Sequence, residues 1–183
     1  MVSAHRPAVV LVGPPGAGKS TVGAAVAERL GVGLHDTDAA VETRAGRSIS
    51  DIFVDDGEPA FRALERAEVA RALADERGVV ALGGGAVMDP TTRAALVGHA
   101  VVFLDVSIAD ASKRIGFDRS RPLLAVNPRA SWVAMMKDRR PVYEQVAAVR
   151  VDTAGRTPDD IADEVVTRLR DLAEWEERAQ ADG

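Results

Sequence analysis

Cysteine is absent from the chain, and lysine is scarce. Without cysteine, disulfide bonds, thiolate metal sites and cysteine nucleophiles are all excluded. Lysine occurs only as Lys19, Lys113 and Lys137, so arginine carries nearly all of the cationic chemistry. Because the planar guanidinium suits two-point recognition of carboxylates and phosphates, we expect any bound anion to be met by a few well-placed arginines.

Long hydrophobic runs are also missing. No segment approaches the roughly 20 apolar residues that a membrane-spanning helix needs. The short apolar run near the N-terminus leads directly into Gly13 and Pro14, which is not the layout of a signal peptide. A net charge of -5 disfavours nucleic-acid binding, which usually requires a basic surface. We therefore predict a cytoplasmic protein that binds neither membranes nor nucleic acids, with a monomer as the simplest assembly.

Strand patterns alternate with helix patterns along the chain. Strands are predicted at 8–12, 32–35, 79–82, 100–106 and 149–152. Helices are predicted at 19–30, 37–45, 50–56, 58–76, 90–97, 109–115, 130–148 and 158–172. Gly78 is expected to cap the 58–76 helix, and Pro141 to kink or break the 130–148 helix. This alternation predicts an α/β fold with a parallel sheet, helices on both faces, and ligands beyond the carboxyl ends of the strands.

Residues 13–20, Gly-Pro-Pro-Gly-Ala-Gly-Lys-Ser, match the complete phosphate-loop pattern GxxxxGK[ST]. The segment lies between a predicted strand and a predicted helix, where backbone N–H groups and the helix N-terminus can surround phosphate oxygens. Lys19 is expected to reach the β- and γ-phosphates, and Ser20 to offer its hydroxyl to Mg²⁺. A GTPase is disfavoured, because the only asparagine, Asn127, precedes proline and so cannot begin an Asn-Lys-x-Asp loop. The motif predicts ATP and Mg²⁺ as ligands.

Five further motifs follow at characteristic spacing. They are Asp36-Thr37-Asp38, Phe61-Arg62 with Glu65, Gly83-Gly84-Gly85, Arg121-Pro122-Leu123-Leu124, and Arg139-Arg140-Pro141-Val142-Tyr143. With the phosphate loop, they resemble shikimate kinase over about residues 8–172. The resemblance implies a P-loop NTPase fold with a five-stranded parallel sheet of the nucleoside-monophosphate-kinase type. It also implies ATP-dependent phosphorylation of the 3-hydroxyl of shikimate.

The resemblance also implies a division of labour along the chain. One kinase domain would span 1–173, with acid-binding helices at about 37–76, a mobile lid at about 116–129 and a charged tail at 174–183. Catalysis is implied for Lys19, Asp38 and Arg121. Nucleotide binding is implied for Gly16, Ala17, Gly18, Lys19, Ser20, Thr21, Arg114 and Arg121, and magnesium binding for Ser20 and, through water, Asp36. Substrate binding is implied for Asp38, Arg62, Gly83, Gly84, Gly85 and Arg139.

Several of these residues have a purely structural alternative. Asp36 can cap the helix that follows it, and Arg62 can pair with Glu58 or Glu65 along its own helix. Arg139 stands beside Arg140, so either arginine could face a ligand. Two functional alternatives also remain at this point: another small-molecule kinase of the same fold, such as a gluconate or nucleotide kinase, and a catalytically silent sensor of shikimate or ATP.

Overall fold

A computed structural model describes residues 6–115 and 127–181 of the chain. Its strands are β1 (Val9–Val12), β2 (Leu34–Asp36), β3 (Val79–Ala81), β4 (Val101–Asp105) and β5 (Val149–Asp152). Its helices are α1 (Lys19–Leu30), α2 (Thr37–Ala45), α3 (Ile49–Asp55), α4 (Glu58–Asp75), α5 (Pro90–Ala95), α6 (Ile108–Ile115), α7 (Pro128–Val146) and α8 (Pro158–Ala181). A turn of 3₁₀ helix, Ala86–Met88, follows β3.

The strands form one parallel five-stranded sheet in the order β2-β3-β1-β4-β5. Helices cover both faces of this sheet. Leu11 faces α1, where a Cβ added to Gly23 would lie 3.3 Å from its Cδ1 atom, whereas Phe103 stacks on Tyr143 of α7 with ring centroids 5.1 Å apart. Leu11 is aligned with Val102, the neighbour of Phe103, and successive side chains point to opposite faces. The predicted α/β fold is therefore confirmed.

A second, smaller core lies among α2, α3 and α4. Val41, Ile52 and Phe61 are buried in it, and Phe53 packs against them with its ring centroid 4.8 Å from that of Phe61. The guanidinium carbon of Arg62 lies 5.2 Å from the centroid of the Phe61 ring. This core fixes the start of α4, and with it the position of Arg62.

The predicted start of β2 and the predicted cap of α4 were wrong. β2 begins at Leu34, not at residue 32, because Val32 still donates its N–H to Ala27 O as part of the end of α1. Gly78 does not cap α4. That helix ends at Asp75, with Glu76 in an extended conformation after it. Glycine is needed at position 78 for another reason: an added Cβ would collide with the carbonyl of Gly33, which accepts the N–H of Val79 at 2.9 Å.

The last two helices differ from the predicted ones. Pro141 lies inside α7 without breaking it. α8 continues to Ala181 instead of ending at residue 172, and Arg178 and Glu174 form an i,i+4 ion pair at 3.5 Å in its last turns. Charged residues at this spacing support a helix rather than terminate it. Within the ranges that the structure describes, no helix is both long and apolar enough to cross a membrane.

Candidate active site

The phosphate loop runs from the end of β1 into the first turn of α1. Gly16 and Gly18 have φ values of 82° and 84°, a left-handed conformation that favours glycine, and Gly18 is the N-cap of α1. Lys19 Nζ donates to the carbonyls of Gly13 at 2.8 Å and Pro14 at 3.1 Å, so its ammonium lies against the loop. Within the loop Ala17 is buried, and Thr21 is exposed in the first turn of the helix.

Asp36 joins the end of β2 to the phosphate loop. Its Oδ2 atom accepts a hydrogen bond from Ser20 Oγ, and its Oδ1 atom accepts from the N–H groups of Asp38 at 3.0 Å and Ala39 at 3.2 Å. Asp36 is therefore the N-cap of α2 and a neighbour of the loop hydroxyl at the same time. The capping alternative is therefore found, and Asp36 also contacts Ser20, because its two carboxylate oxygens accept hydrogen bonds from different groups.

The three glycines after β3 allow three close approaches. A Cβ on Gly83 would collide with Asp38 Oδ1 and lie 2.8 Å from Glu65 Oε1. A Cβ on Gly84 would lie 2.9 Å from Pro15 Cδ of the phosphate loop, and one on Gly85 would lie 2.6 Å from Arg62 Nη1. This segment therefore brings the phosphate loop, Asp38 and Arg62 to one edge of the sheet. Larger residues would push them apart.

Beside this edge lies a cleft of about 550 Å³ between α4, α5, α7 and the 3₁₀ turn. Arginines 62, 66 and 139 and the carboxylates of residues 58, 65, 89 and 138 are among its lining groups. Arg62 Nη1 donates to Glu65 Oε2 at 2.7 Å, and both Nε and Nη2 lie 3.2 Å from Glu58 Oε1. Burial lowers the pKa of Arg62, but the two carboxylates raise it by more, so the guanidinium stays charged.

Glu65 is a buried carboxylate at the meeting point of the charged groups. Its side chain is only 5% exposed. Burial raises the pKa of Glu65 above its ordinary value, and nearby Asp38 adds to that rise, while Arg62 and Arg139 oppose it. Each of the two predicted arginines thus acts electrostatically on the same buried acid. The hydrogen bond from Arg62 to Glu65 fixes the position of the guanidinium at the cleft.

The adjacent arginines of α7 have different surroundings. Arg139 lines the cleft, and its charge lowers the pKa of Tyr143 against the larger opposite effect of burial. Arg140 instead makes two hydrogen bonds to Asp105, at 2.6 and 2.8 Å, away from the lining of the cleft. Asp105 also accepts from Arg150 of β5 at 2.9 Å. Of the two alternatives, Arg139 is therefore the one available to a ligand in the cleft.

The remaining predicted nucleotide-site residues lie at or near the lid. Arg114, at the end of α6, extends over the phosphate loop and donates to the carbonyls of Gly16 and Ala17, both at 3.3 Å. Arg121 and most of the predicted lid lie outside the described residues. Trp132 of α7, which follows that segment, donates from Nε1 to Pro15 O at 3.4 Å. Side chains from both sides of the predicted lid thus contact the loop backbone.

Sequence reasoning gave no site role to three side chains that organise this region. Tyr143 donates to Gly84 O at 2.5 Å, and burial raises its pKa to about 12. Thr37 accepts the N–H of Gly83 at 3.1 Å and is fully buried. Glu65 was considered only as a helical partner of Arg62, although its i,i+3 spacing from that arginine was a usable signal. The contacts of Tyr143 and Thr37 join distant segments of the chain, whereas that of Glu65 with Arg62 lies within one helix.

By fold and by site, the molecule is a P-loop kinase of the kind that phosphorylates a small molecule. A family model described as shikimate kinase matches residues 15–170. The shikimate kinase of Thermobifida fusca is 57% identical over 164 residues, which are 90% of this chain and 95% of that protein. The chain therefore belongs to the shikimate kinase family, and its activity is transfer of a phosphoryl group from ATP to shikimate.

Two more comparisons agree with this membership. The shikimate kinase of Salinispora arenicola is 58% identical over 163 residues, covering 89% of this chain and 98% of the relative. A solved structure of shikimate kinase from Acinetobacter baumannii in complex with shikimate has a TM-score of 0.88 and 33% identity. That match covers 92% of this chain and 95% of the other. The predicted family and the five-stranded P-loop fold are both confirmed.

Proposed function

We propose that ATP binds at the phosphate loop, that shikimate binds in the cleft, and that the γ-phosphoryl group passes to the 3-hydroxyl at their junction. The position of Asp38 carries this proposal. Its backbone is tied to Asp36, which contacts Ser20 of the loop, while its carboxylate lies against Gly83 beside Glu65 of the cleft. Residues 36–38 therefore contact both the phosphate loop, where the nucleotide binds, and the cleft, where the acid binds.

The protein's task in phosphoryl transfer is to position the hydroxyl and to neutralise the charge that spreads over the moving phosphoryl group. Residues 16–21 surround the phosphates, with Lys19 supplying charge, and Arg114 lies where it can contact the nucleotide. Arg121 would add charge from the lid at about 116–129 when that segment closes and excludes water. Residues 1–173 act as one kinase domain, with acid-binding helices at about 37–76, and the residues from 174 are a tail.

Asp38 and the cleft arginines present the substrate. Asp38 orients the 3-hydroxyl or accepts its proton. Arg62 and Arg139 hold the carboxylate of shikimate, which matches the forked geometry of a guanidinium. The backbone of residues 83–85 lies between these groups and supplies contacts close to the bound acid. With the acid end anchored, the 3-hydroxyl is the group turned towards ATP.

Magnesium fits the residues around Ser20. The hydroxyl of Ser20 and the carboxylate of Asp36 are hard oxygen donors in direct contact, and such donors suit Mg²⁺. Among the described residues, no group of three or more His, Cys, Asp or Glu side chains could hold a metal alone. Mg²⁺ commonly keeps several waters and shares phosphate ligands, so a site of this sparse kind is adequate. When bound, the ion neutralises charge on the β- and γ-phosphates.

We propose a monomer in the cytoplasm that acts on a small-molecule substrate without nucleic-acid or membrane partners. The net charge of -5 supports the absence of nucleic-acid binding, because domains that bind a phosphate backbone usually carry a basic surface. Sedimentation equilibrium of the purified chain, with and without ATP, measures the assembly directly.

A coupled assay of ADP release tests the function. Purified protein with ATP and Mg²⁺ is offered shikimate, gluconate, quinate and nucleoside monophosphates in parallel. Turnover with shikimate alone is expected. Turnover that prefers gluconate or a nucleotide would assign the cleft to another substrate, and ligand binding without any turnover would favour the sensor alternative. The presence of Lys19, Ser20 and Asp38 together in one site argues against a catalytically silent sensor.

A further inference from the structure

Two carboxylates of the protein, those of Glu58 and Glu65, accept hydrogen bonds from Arg62. Glu65 Oε2 lies 2.7 Å from Nη1, and Glu58 Oε1 lies 3.2 Å from both Nε and Nη2. The two acids differ sharply in exposure: the Glu65 side chain is 5% exposed and the Glu58 side chain is 51% exposed. Glu65 is therefore a fixed partner of Arg62, whereas Glu58 can turn into solvent.

Glu58 holds the edge of the guanidinium that an incoming acid would use. The Nη1–Nη2 end faces Gly85, where an added Cβ would lie 2.6 and 2.8 Å from the two nitrogens. The ring of Phe61 lies under Arg62, with its centroid 5.2 Å from Cζ. The Nε–Nη2 edge remains, and carboxylates bind this kind of edge through two parallel hydrogen bonds. That edge is the one in contact with Glu58.

We propose that Glu58 competes with the carboxylate of the substrate for Arg62, and so sets the affinity of the cleft for acids. This inference rests on the role of Arg62 under the proposed function. Glu58 is the first residue of α4, next to the N-cap Gly57. When it turns away from Arg62, its charge stays near the positive end of the helix dipole, so leaving the arginine costs little. The bound acid then takes over both hydrogen bonds that Glu58 gave up.

The test is the dissociation constant of shikimate for the full chain, measured by isothermal titration calorimetry without nucleotide. Exposed ion pairs have coupling energies that correspond to about a two- to fivefold change in an equilibrium constant. Glu58→Gln, which removes the charge, should therefore bind shikimate about two- to fivefold more tightly. Glu58→Asp keeps the charge but shortens the side chain by one methylene. It should also bind more tightly, because the carboxylate no longer reaches Arg62.

Asp75→Asn is the matched control. Asp75 lies on the same helix and forms an i,i+4 pair with Arg71 at 3.7 Å, with 62% of its side chain exposed. Its loss changes the net charge by the same amount, far from the cleft, and should leave the dissociation constant unchanged. Weaker or unaltered binding by Glu58→Gln would overturn the competition. Parent-like affinity of Glu58→Asp beside tighter binding by Glu58→Gln would also overturn it, in favour of repulsion through space.

Failure of the underlying role of Arg62 gives a different result. If shikimate methyl ester binds the parent as tightly as the acid, and Arg62→Ala binds shikimate with the affinity of the parent, then Arg62 does not bind the substrate carboxylate. If the parent binds the ester more weakly than the acid and Arg62→Ala loses affinity for shikimate, the role of Arg62 as a partner of the carboxylate is supported. The Glu58 variants then decide the competition alone.

Discussion

Arg139 and Arg140 are neighbours in sequence, and we predict that their alanine variants fail in different ways. Arg140→Ala removes two hydrogen bonds to Asp105, whose side chain is only 6% exposed. Breaking a buried ion pair costs about 3 to 5 kcal/mol. Arg150 remains on the same carboxylate, and the Arg140 side chain is 37% exposed, so we expect about 2 kcal/mol of lost unfolding free energy. For a chain of this size, Tm should fall by about 4 to 8 °C.

Arg139→Ala should instead keep the stability and lose the substrate. A cleft residue outside the core changes the unfolding free energy by about 0.5 kcal/mol or less. Losing one partner of a bound carboxylate costs about 2 to 5 kcal/mol, and the partial exposure of Arg139 places it at the low end. A loss of about 2 kcal/mol raises the dissociation constant of shikimate about 30-fold.

Thermal unfolding by circular dichroism and calorimetric titration with shikimate measure the two effects separately. Arg150→Ala is the control: it also loses a contact to Asp105, but from β5, and should lower Tm without changing shikimate affinity. If Arg140→Ala loses affinity at an unchanged Tm while Arg139→Ala melts early, the assignment of the two arginines is reversed. Equal losses in both assays for both variants would also contradict it.

Three further predictions concern single residues. Lys19→Met should abolish turnover while the circular dichroism spectrum stays as in the parent, because the ammonium contacts loop carbonyls and not the core; near-normal kcat would contradict the phosphate-loop role. Asp38→Asn should retain ATP binding and lose most turnover. Asp36→Asn should mainly raise the Mg²⁺ concentration that turnover requires. Rescue of Asp38→Asn by added Mg²⁺ would show that the two roles are reversed. Tyr143, the only tyrosine, should ionise near pH 12 in an ultraviolet difference titration, not near the ordinary 10.0. Because the pKa of Tyr143 is higher in the folded than in the unfolded protein, its contribution to stability is complete below about pH 10 and is lost as pH rises towards 12. Ionisation of Tyr143 at the ordinary pKa in the folded protein would contradict its burial.

The sequence by itself determined the features that are local in the chain. The phosphate loop needs a run of eight residues between a strand and a helix, and left-handed glycines at 16 and 18 serve that turn. The parallel sheet follows from short β-branched runs separated by helices. Asp36 and Asp38 could be placed at a strand end because Asp36 is the last residue of β2 and Asp38 comes two residues later. Such features depend on neighbours in sequence, so a linear reading suffices.

Only the tertiary structure decided which charges are buried and what they face. Glu68 of α4 has a 2% exposed side chain and contacts His35 of β2 and Arg44 of α2, both at 2.8 Å. Burial raises the pKa of Glu68, but hydrogen bonds from Arg71 and His35 lower it by more, and the net direction is downward. No periodicity distinguishes such an acid from a solvated one. His35 and Arg44 come from separate elements and meet Glu68 only when the sheet and helices pack.

The choice between Arg139 and Arg140 shows the same limit. Both lie on α7, and helical spacing alone cannot say which one turns towards the cleft. Asp105 at the end of β4 settles the orientation, because it binds Arg140 and so directs Arg139 to the other side. Asp105 and Arg140 lie 35 positions apart in the chain. A partner that distant becomes a neighbour only through the order of the strands, which is a property of the whole fold.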